Sequence, residues 1–248
     1  MSGEPADVIP EADIIIVAAP AHAHGPLLVR IAPFVRTGTW IGTLFAQGGF
    51  DWAAAAAFRS RPGVVSLVFG LQNIPWICQK VRYGHSARII GPKQALYLAA
   101  YPTASAQLAA RVVGDLFGIP CKTVPNFLSL TLTPSNQIIH PARYWAIFKD
   151  YDGKKVYDRA SLPAKLYADF DELSAEELAK LDNELQQIKL GLLARYPSLD
   201  LSLVLPIGKR VVKQYGKDVA DTSSLRSIFA TNLGYALSVV RAATRQCR

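Results

Sequence analysis

The segment 134–144 places several reactive side chains on one face of a predicted helix. At helical spacing, Asn136, His140, Arg143 and Tyr144 share a polar face within an otherwise apolar stretch. An imidazole with an ordinary pKa of about 6.5 can take up and release a proton near neutral pH. A helical histidine can equally be a satisfied core residue, so the residues alone leave both interpretations of His140 open.

Two further side chains on this face are candidates for substrate binding. Arg143 could hold a carboxylate through two parallel hydrogen bonds, or it could be an ordinary arginine on the helix surface. Asn136 lies one turn before the histidine and is the second candidate. His22 and His24 stand two residues apart without an evident third ligand, so we expect no metal site.

The first half of the chain alternates strands and helices. A continuous apolar run at 13–19 is typical of a strand buried on both faces, as in a parallel sheet. The further predicted strands are 39–45, 64–69, 87–90 and 94–99, and the predicted helices are 25–35, 50–59 and 104–117, the last ending at Gly118. This order predicts a right-handed parallel α/β sheet.

After Pro125 the pattern becomes helical. The predicted helices are about 126–148, 174–194, 206–215 and 222–242. Thr133 followed by Pro134 predicts a helix cap and hence a break near 132. We therefore expect two domains, residues 1–125 with a partial dinucleotide-binding sheet and 126–248 with helices.

Composition excludes several classes of protein. Half of the 248 residues are hydrophobic, 19% are charged and the formal net charge is +8. The basic residues are spread along the chain without a nucleic-acid-binding module, so we do not expect nucleic-acid binding. No run of about 20 apolar residues predicts a membrane span, and three cysteines without a metal-binding spacing indicate a reducing compartment, which favours the cytoplasm.

A dinucleotide-binding fold normally opens with a strand, a glycine-rich turn and a helix. No G-x-G-x-x-G or G-x-G-x-x-A motif is present in the 248 residues. Either the sheet belongs to an unrelated small α/β domain, or the first half of a Rossmann domain is absent from this chain.

The stretch 132–143, Leu-Thr-Pro-Ser-Asn-Gln-Ile-Ile-His-Pro-Ala-Arg, resembles the start of the second domain in octopine and other opine dehydrogenases. The His-Pro pair is where that family keeps its catalytic histidine. Other segments resemble the family in the same order along the chain, namely 16–24, 46–49, 73–78, 221–226 and 231–235.

This resemblance implies an oxidoreductase that uses NAD or NADP to join an amino acid reductively to a 2-keto acid such as pyruvate. His140 would then be the general acid and base. The resemblance places Gln47, Asn73 and Cys78 in the substrate region, with Cys78 shaping the pocket as a small buried residue. It places the loop containing Pro20, Ala21 and His22 beside the cofactor.

The sequence departs from the family in two respects. The glycine-rich fingerprint is missing, and so is an R-Y-x-x-E-D motif whose aspartate partners the catalytic histidine in the family. We therefore expect a chain truncated at both ends, inactive by itself and weak in NADH binding. We also expect His140 to face the loops near Pro20, Gln47 and Cys78.

Two other functions are also compatible with the sequence. One is a different two-domain dehydrogenase of the 6-phosphogluconate dehydrogenase-like type, in which the spacing of Asn136 and His140 is less expected. The other is a non-catalytic remnant that acts through protein interactions, which both missing segments favour. The sequence flanking this chain in its gene would discriminate between them, since it would or would not encode the two missing motifs.

Overall fold

A computed structural model describes residues 2–236, and the predicted helical stretch 237–242 lies outside the described residues. Contacts divide the chain into two compact units. The first comprises residues 2–133 together with Tyr196–Val204, and the second comprises Pro134–Arg195 together with residues 205–236. The division thus follows Thr133, whereas the sequence pattern placed the domain boundary near 125.

The first unit contains a five-stranded sheet. In sheet order its strands are β1 (Ile14–Val17), β2 (Thr39–Thr43), β3 (Val65–Leu71), β6 (Leu96–Tyr101) and β7 (Cys121–Thr123). The first three pair in parallel, which confirms the predicted Rossmann-like arrangement. Strand β6 pairs antiparallel with β3, and β7 pairs parallel with β6.

Helices cover both faces of this sheet. They are α1 (Pro5–Val8), α2 (Ala21–Ile31), α3 (Phe50–Ala57), α4 (Ala106–Phe117) and the short α5 (Leu128–Thr131). On β3, Val68 packs with the core formed under α2 and α3, while Leu67 and Phe69 belong to the core under α4. The alternation follows from the two-residue repeat of a strand and explains why the strands are apolar throughout. Helix α4 ends at Gly118, as the sequence predicts.

A two-stranded antiparallel hairpin projects from the chain between β3 and β6. Its strands are β4 (Trp76–Arg82) and β5 (Ser86–Pro92), joined by a short turn that contains Gly84. The residue pattern predicts a strand only at 87–90, and the family resemblance implies a loop over 73–78. The prediction failed because the glycine-containing turn lets both flanking segments pair with each other, which residue pattern alone did not indicate.

The second unit is helical, with α6 (Asn136–Phe148), α7 (Glu172–Arg195), α8 (Ile207–Tyr215) and α9 (Leu225–Ala230). The predicted break near 132 is confirmed, but Ser135 rather than Thr133 occupies the cap position of α6. The last described helix is shorter than predicted. It ends where the Thr231 hydroxyl bonds back to the Ser227 carbonyl and Asn232 caps the next short turn.

The longest described helix, α7, has 24 residues and carries charged side chains along its length. Within residues 2–236 there is no helix with both the length and the apolar composition needed to cross a bilayer.

Candidate functional site

His140 lies on the second turn of α6 and is half-buried. Its Nε2 atom lies 2.9 Å from the hydroxyl oxygen of Tyr167, a distance at which the two groups share a hydrogen bond. Tyr167 belongs to the irregular segment between α6 and α7 and is buried. No pattern in the sequence predicts this partner.

Aromatic side chains pack around the hydrogen bond between His140 and Tyr167, and Tyr167 is itself one of this set. We call it the aromatic cluster, and it consists of Tyr144, Tyr167, Tyr215, Phe229 and Tyr235. The Tyr167 ring stacks on Tyr235 with 4.4 Å between centroids, and Tyr215 meets Tyr235 edge-on at 4.9 Å. Such packing holds the Tyr167 hydroxyl in place through a rigid ring with few rotatable bonds.

The environment of His140 favours its uncharged form. Burial lowers the pKa of His140 below its ordinary value, because the imidazolium loses hydration. Among the described side chains, no carboxylate forms a hydrogen bond or an ion pair with this ring. The imidazole is therefore present mainly as a neutral base near pH 7.

Arg143 has a structural role in the second unit. Its side chain is fully buried and donates to the carbonyls of Leu166 and Asp169, to the Asp171 carboxylate and to the Ser174 hydroxyl, at 2.6–3.1 Å. Neither sequence interpretation anticipated this placement, because the guanidinium is neither on the helix surface nor free. A substrate carboxylate could reach it only after these bonds had broken.

A second buried arginine, which the sequence pattern does not predict, holds the beginning of α6. Arg210 of α8 donates to the Pro134 carbonyl at 2.7 Å and to the Ser135 hydroxyl at 3.4 Å. The Asp182 carboxylate accepts from the Ile207 backbone N–H at 2.9 Å. Asn136, the first residue of α6, is exposed just beyond this anchor.

In the first unit, Gln47 follows β2 and is almost completely buried. Its Nε2 donates to the carbonyls of Gln72 and Thr133, both at 2.8 Å. Two carbonyl partners fix the amide orientation, since only the NH₂ group can satisfy both. The Oε1 atom is buried, and the described residues offer it no hydrogen-bond partner. Gln47 therefore has no N–H left for a keto-acid carboxylate and presents an acceptor instead.

The network around Gln47 continues through Gln72 and Thr133, and the sequence predicts neither of them as part of a site. Gln72 Nε2 donates to the Thr133 hydroxyl at 2.8 Å, and that hydroxyl donates to carbonyls in α5. Asn73 is half-buried, with its Nδ2 atom 3.4 Å from Gln72 Oε1. Tertiary contact alone brings these segments together, so no local motif could have indicated them.

Cys78 differs from its predicted setting. It lies on β4 in the hairpin and is exposed, whereas the sequence analysis expected a small buried residue in a loop. The antiparallel partner of Cys78 is Ile89 on β5. Strand formation exposes Cys78 because a two-stranded hairpin cannot bury both of its faces by itself.

The segment 20–24 is the first turn of α2 rather than a polar loop. Pro20 is the cap residue, and Pro20, Ala21 and His22 are exposed at the carboxyl end of β1. In the sequence, Gly25 and Pro26 favoured a helix that begins at residue 25, four residues later than the observed start. Pro26 lies within the helix, where it cannot donate to the His22 carbonyl.

His24 on the same turn is buried and holds the turn in place. Its Nε2 lies 2.9 Å from the Ala19 carbonyl and 3.4 Å from the Thr43 hydroxyl, and burial lowers its pKa. Across residues 2–236 there is no group of three or more His, Cys, Asp or Glu side chains that could hold a metal ion.

The loops after β1 and β2 lie side by side. Gly48 has φ +113°, and a Cβ atom there would lie 3.5 Å from the Ala21 Cβ. In open α/β sheets, ligands bind beyond the carboxyl ends of the strands. This edge of the sheet carries Pro20, Ala21, His22 and Gln47, four of the predicted site residues.

A separate cavity of about 740 Å³ lies elsewhere in the first unit. Most of its lining side chains are apolar and come from α3, β3 and the segment 126–128, and Asp51 of α3 also lines it. None of the predicted site residues lines it, so we do not include it in the candidate site.

Comparison with known proteins gives consistent results. The model of the "NAD/NADP octopine/nopaline dehydrogenase, alpha-helical domain" family matches residues 123–248. An uncharacterized protein of Sinorhizobium fredii, y4xO, is 31% identical over 240 residues, which is 94% of this chain and 62% of that protein. Octopine dehydrogenase of Pecten maximus is 26% identical over 235 residues, which is 94% of this chain and 57% of the relative.

The fold agrees with solved octopine dehydrogenase structures. The one described with NADH and L-arginine gives a TM-score of 0.79 at 24% identity, covering 99% of this chain and 60% of that chain. The one described with NADH and pyruvate gives a TM-score of 0.75 at 22% identity, covering 96% of this chain and 57% of that chain. The chain thus spans about three-fifths of the length of these relatives. Because the family model matches more than half of its residues, the chain belongs to the NAD/NADP octopine/nopaline dehydrogenase family.

Proposed function

We propose that this protein is an opine dehydrogenase-like oxidoreductase that condenses an amino acid with a 2-keto acid such as pyruvate, using NADH or NADPH. His140 carries the proposal. It is a half-buried imidazole whose pKa is lowered by burial, and it lies in the part of the chain that matches the family's helical domain. Octopine dehydrogenases solved with NADH and either L-arginine or pyruvate support the same classes of substrate.

His140 serves the first half of the reaction as a base. The amino group of the amino acid must lose a proton before its lone pair can attack the keto carbon. A neutral imidazole accepts that proton, and the lowered pKa keeps His140 neutral near pH 7. A C–N bond forms in this step, and the carbonyl oxygen becomes a hydroxyl.

His140 serves the second half as an acid. The hydroxyl leaves as water only after it has been protonated, and a buried imidazolium releases its proton more readily than an exposed one. Loss of water gives a protonated imine, and His140 returns to its neutral state. When bound, the nicotinamide supplies the hydride that reduces the imine carbon, which yields a secondary amine with two carboxylates.

The edge of the sheet after β1 and β2 has features that fit a dinucleotide. Ala21 and His22 at the start of α2 are exposed there, and Gly48 lies beside Ala21 without a side chain to fill the space. Gln47 adds a buried acceptor, Oε1, without a described donor. We assign Pro20, Ala21 and His22 as the residues that contact the cofactor.

The substrate residues are assigned more narrowly than the sequence suggested. Asn136 and Asn73 retain their proposed roles as polar contacts of the substrate. Cys78 remains a proposed neighbour of the substrate. Gln47 is proposed to accept a hydrogen bond rather than to donate one. We do not assign a substrate to Arg143, because its N–H groups bind the protein itself.

The test is a search for the product. Purified protein, with any flanking coding sequence that its gene supplies, is incubated with pyruvate, a panel of amino acids and NADH deuterated at C4. We expect mass spectrometry to detect a secondary amine carrying deuterium on the former keto carbon. His140→Ala should lower turnover by about 10²–10⁴-fold.

The control is His85→Ala, which alters an exposed histidine in the turn of the hairpin and should leave turnover unchanged. If protein that binds the dinucleotide forms no such amine from any pair of substrates, the proposed function is wrong.

A further inference from the structure

Tyr167 and His140 form a pair that the family resemblance did not predict. The Tyr167 hydroxyl is the one side-chain hydrogen-bond partner of His140 among the described residues, at 2.9 Å from Nε2. The other ring nitrogen, Nδ1, has no hydrogen-bond partner in this part of the chain. The imidazole therefore has one nitrogen, Nε2, held in a hydrogen bond with Tyr167, and the other, Nδ1, available to a substrate.

The protonation state of the held nitrogen determines what the available nitrogen can do. If Nε2 carries a proton and donates it to the Tyr167 oxygen, Nδ1 has a free lone pair and can act as a base. If the hydroxyl donates to Nε2 instead, Nδ1 carries the proton and cannot accept another. Only the first arrangement suits the amine deprotonation proposed above, and it also persists when the ring becomes an imidazolium.

We propose that Tyr167 is the positioning residue of His140, accepting a hydrogen bond from Nε2–H and leaving Nδ1 as the atom that exchanges the proton with the substrate. This inference rests on the proposed function for its catalytic consequence. The tyrosine would fill the place that a carboxylate commonly takes beside a catalytic histidine.

The surroundings of Tyr167 suit a neutral acceptor. Burial first, and then the neighbouring Tyr215 and Tyr144, raise the pKa of the Tyr167 hydroxyl far above its ordinary value. The hydroxyl therefore stays protonated at any working pH. Stacking on Tyr235 at 4.4 Å and on Phe229 at 6.1 Å fixes its direction.

A neutral acceptor and a carboxylate have different effects. Both orient the imidazole, but only a carboxylate adds a negative charge that strongly favours the imidazolium. Among the described residues, the titratable side chains that face this pair are Tyr144 of α6, Tyr215 of α8 and Tyr235, and none of them is a carboxylate. The arrangement orients His140 without raising its pKa, which agrees with the lowered value.

Measuring the tautomer of His140 tests the hydrogen bond between His140 and Tyr167 directly and requires no enzymatic turnover. Nitrogen-15 NMR of the histidine-labelled chain at pH 8 distinguishes a protonated Nε2 from a protonated Nδ1. We expect the Nε2–H form to predominate for His140 and Tyr167→Phe to shift the ring to a mixture of tautomers. Tyr144→Phe removes the hydroxyl of a ring that meets the His140 ring edge-on, with 6.5 Å between centroids, and that forms no hydrogen bond with either imidazole nitrogen among the described residues, so this variant should leave the tautomer unchanged.

Two results would overturn the inference. One is a predominant Nδ1–H tautomer in the unaltered chain, a measurement that does not require any variant to fold. The other is an unchanged tautomer in Tyr167→Phe whose remaining spectrum shows that it is folded.

Turnover then separates this inference from the proposed function. Tyr167→Phe should lower kcat by about 10–100-fold, in the range found for residues that orient a functional histidine, with little change in KM. Tyr151→Phe, which removes an exposed hydroxyl, serves as the control. Unchanged kcat in an active Tyr167→Phe enzyme rejects the positioning role alone. The expected tautomer in a protein that never forms the product rejects the proposed function and leaves the pairing intact.

Discussion

The Gln47 side chain donates a hydrogen bond to the backbone carbonyl of Thr133, 86 residues further along the chain, at 2.8 Å. The same amide nitrogen donates to the Gln72 carbonyl, so one buried side chain after β2 binds the backbone both at the end of β3 and at Thr133. A buried carbonyl that loses its partner costs about 1–3 kcal/mol. Gln47 is therefore both a candidate ligand contact and a structural residue.

Replacing Gln47 with glutamate should make the stability of the first unit depend on pH. The new carboxylate would face two carbonyl oxygens, so its folded-state pKa should rise above the unfolded value of about 4.3. The protonated form fits the native state. Stability should therefore fall as the pH rises above about 4.3, by at most about 1.4 kcal/mol per pH unit, until the folded-state pKa is passed. Urea unfolding at several pH values measures this slope.

The matched control for that variant is Gln107→Glu. Gln107 is exposed, and its amide donates to Thr123 at 3.1 Å, so a carboxylate there remains hydrated. We expect a much flatter dependence on pH for this variant. Equal slopes in the two glutamate variants would show that the buried amide of Gln47 contributes no specific stability.

Replacing Arg143 with methionine should destabilise the second unit. The change keeps much of the side-chain volume but leaves the carbonyls of Leu166 and Asp169 without these donors and the Asp171 carboxylate without its cation. We expect a loss of about 2–4 kcal/mol in the free energy of unfolding, typical of a broken buried network. Arg111→Met on α4, outside this network, is the control, and a loss of less than about 0.5 kcal/mol for Arg143→Met would contradict the structural role.

The elements that carry the site were largely predictable, because they depend on local patterns. Apolar runs and helical spacing identified the three parallel strands and the helix of His140, and family motifs identified the histidine itself. The partners of these residues were not predictable. Tyr167 lies in the irregular segment between α6 and α7, where no periodicity indicates which side chain turns inward.

Buried polar groups were the main source of error. Arg143 and Gln47 looked available for substrates in the sequence, yet each binds backbone carbonyls from segments distant in the chain. Such pairings depend on the folded backbone and leave no local signature. His24 was overlooked for a related reason, since Gly25 and Pro26 suggested that the helix began after it.

His24 should make stability fall at mildly acidic pH. Because burial lowers its folded-state pKa below the unfolded value of about 6.5, the native state favours the neutral ring. The stability that His24 contributes is therefore present above pH 6.5 and is lost as the pH falls through that region. His24→Gln should flatten the dependence of unfolding free energy on pH between about 7 and 5, whereas His85→Gln should not. A slope unchanged by His24→Gln would contradict this assignment.

The pH dependence of turnover should likewise reflect a lowered pKa, that of His140. With the pKa lowered by burial, the base form persists to a lower pH than an exposed histidine would allow. The acidic limb of kcat/KM should therefore have its midpoint below 6.5 once the titration of the substrate amine has been allowed for. Proton NMR of the His140 ring should give the same midpoint in the free protein, and the chain unfolded in urea provides the reference near 6.5. A midpoint above 6.5 in both measurements would mean that a negative charge lies beside the imidazole, which would contradict the uncharged tyrosine pairing.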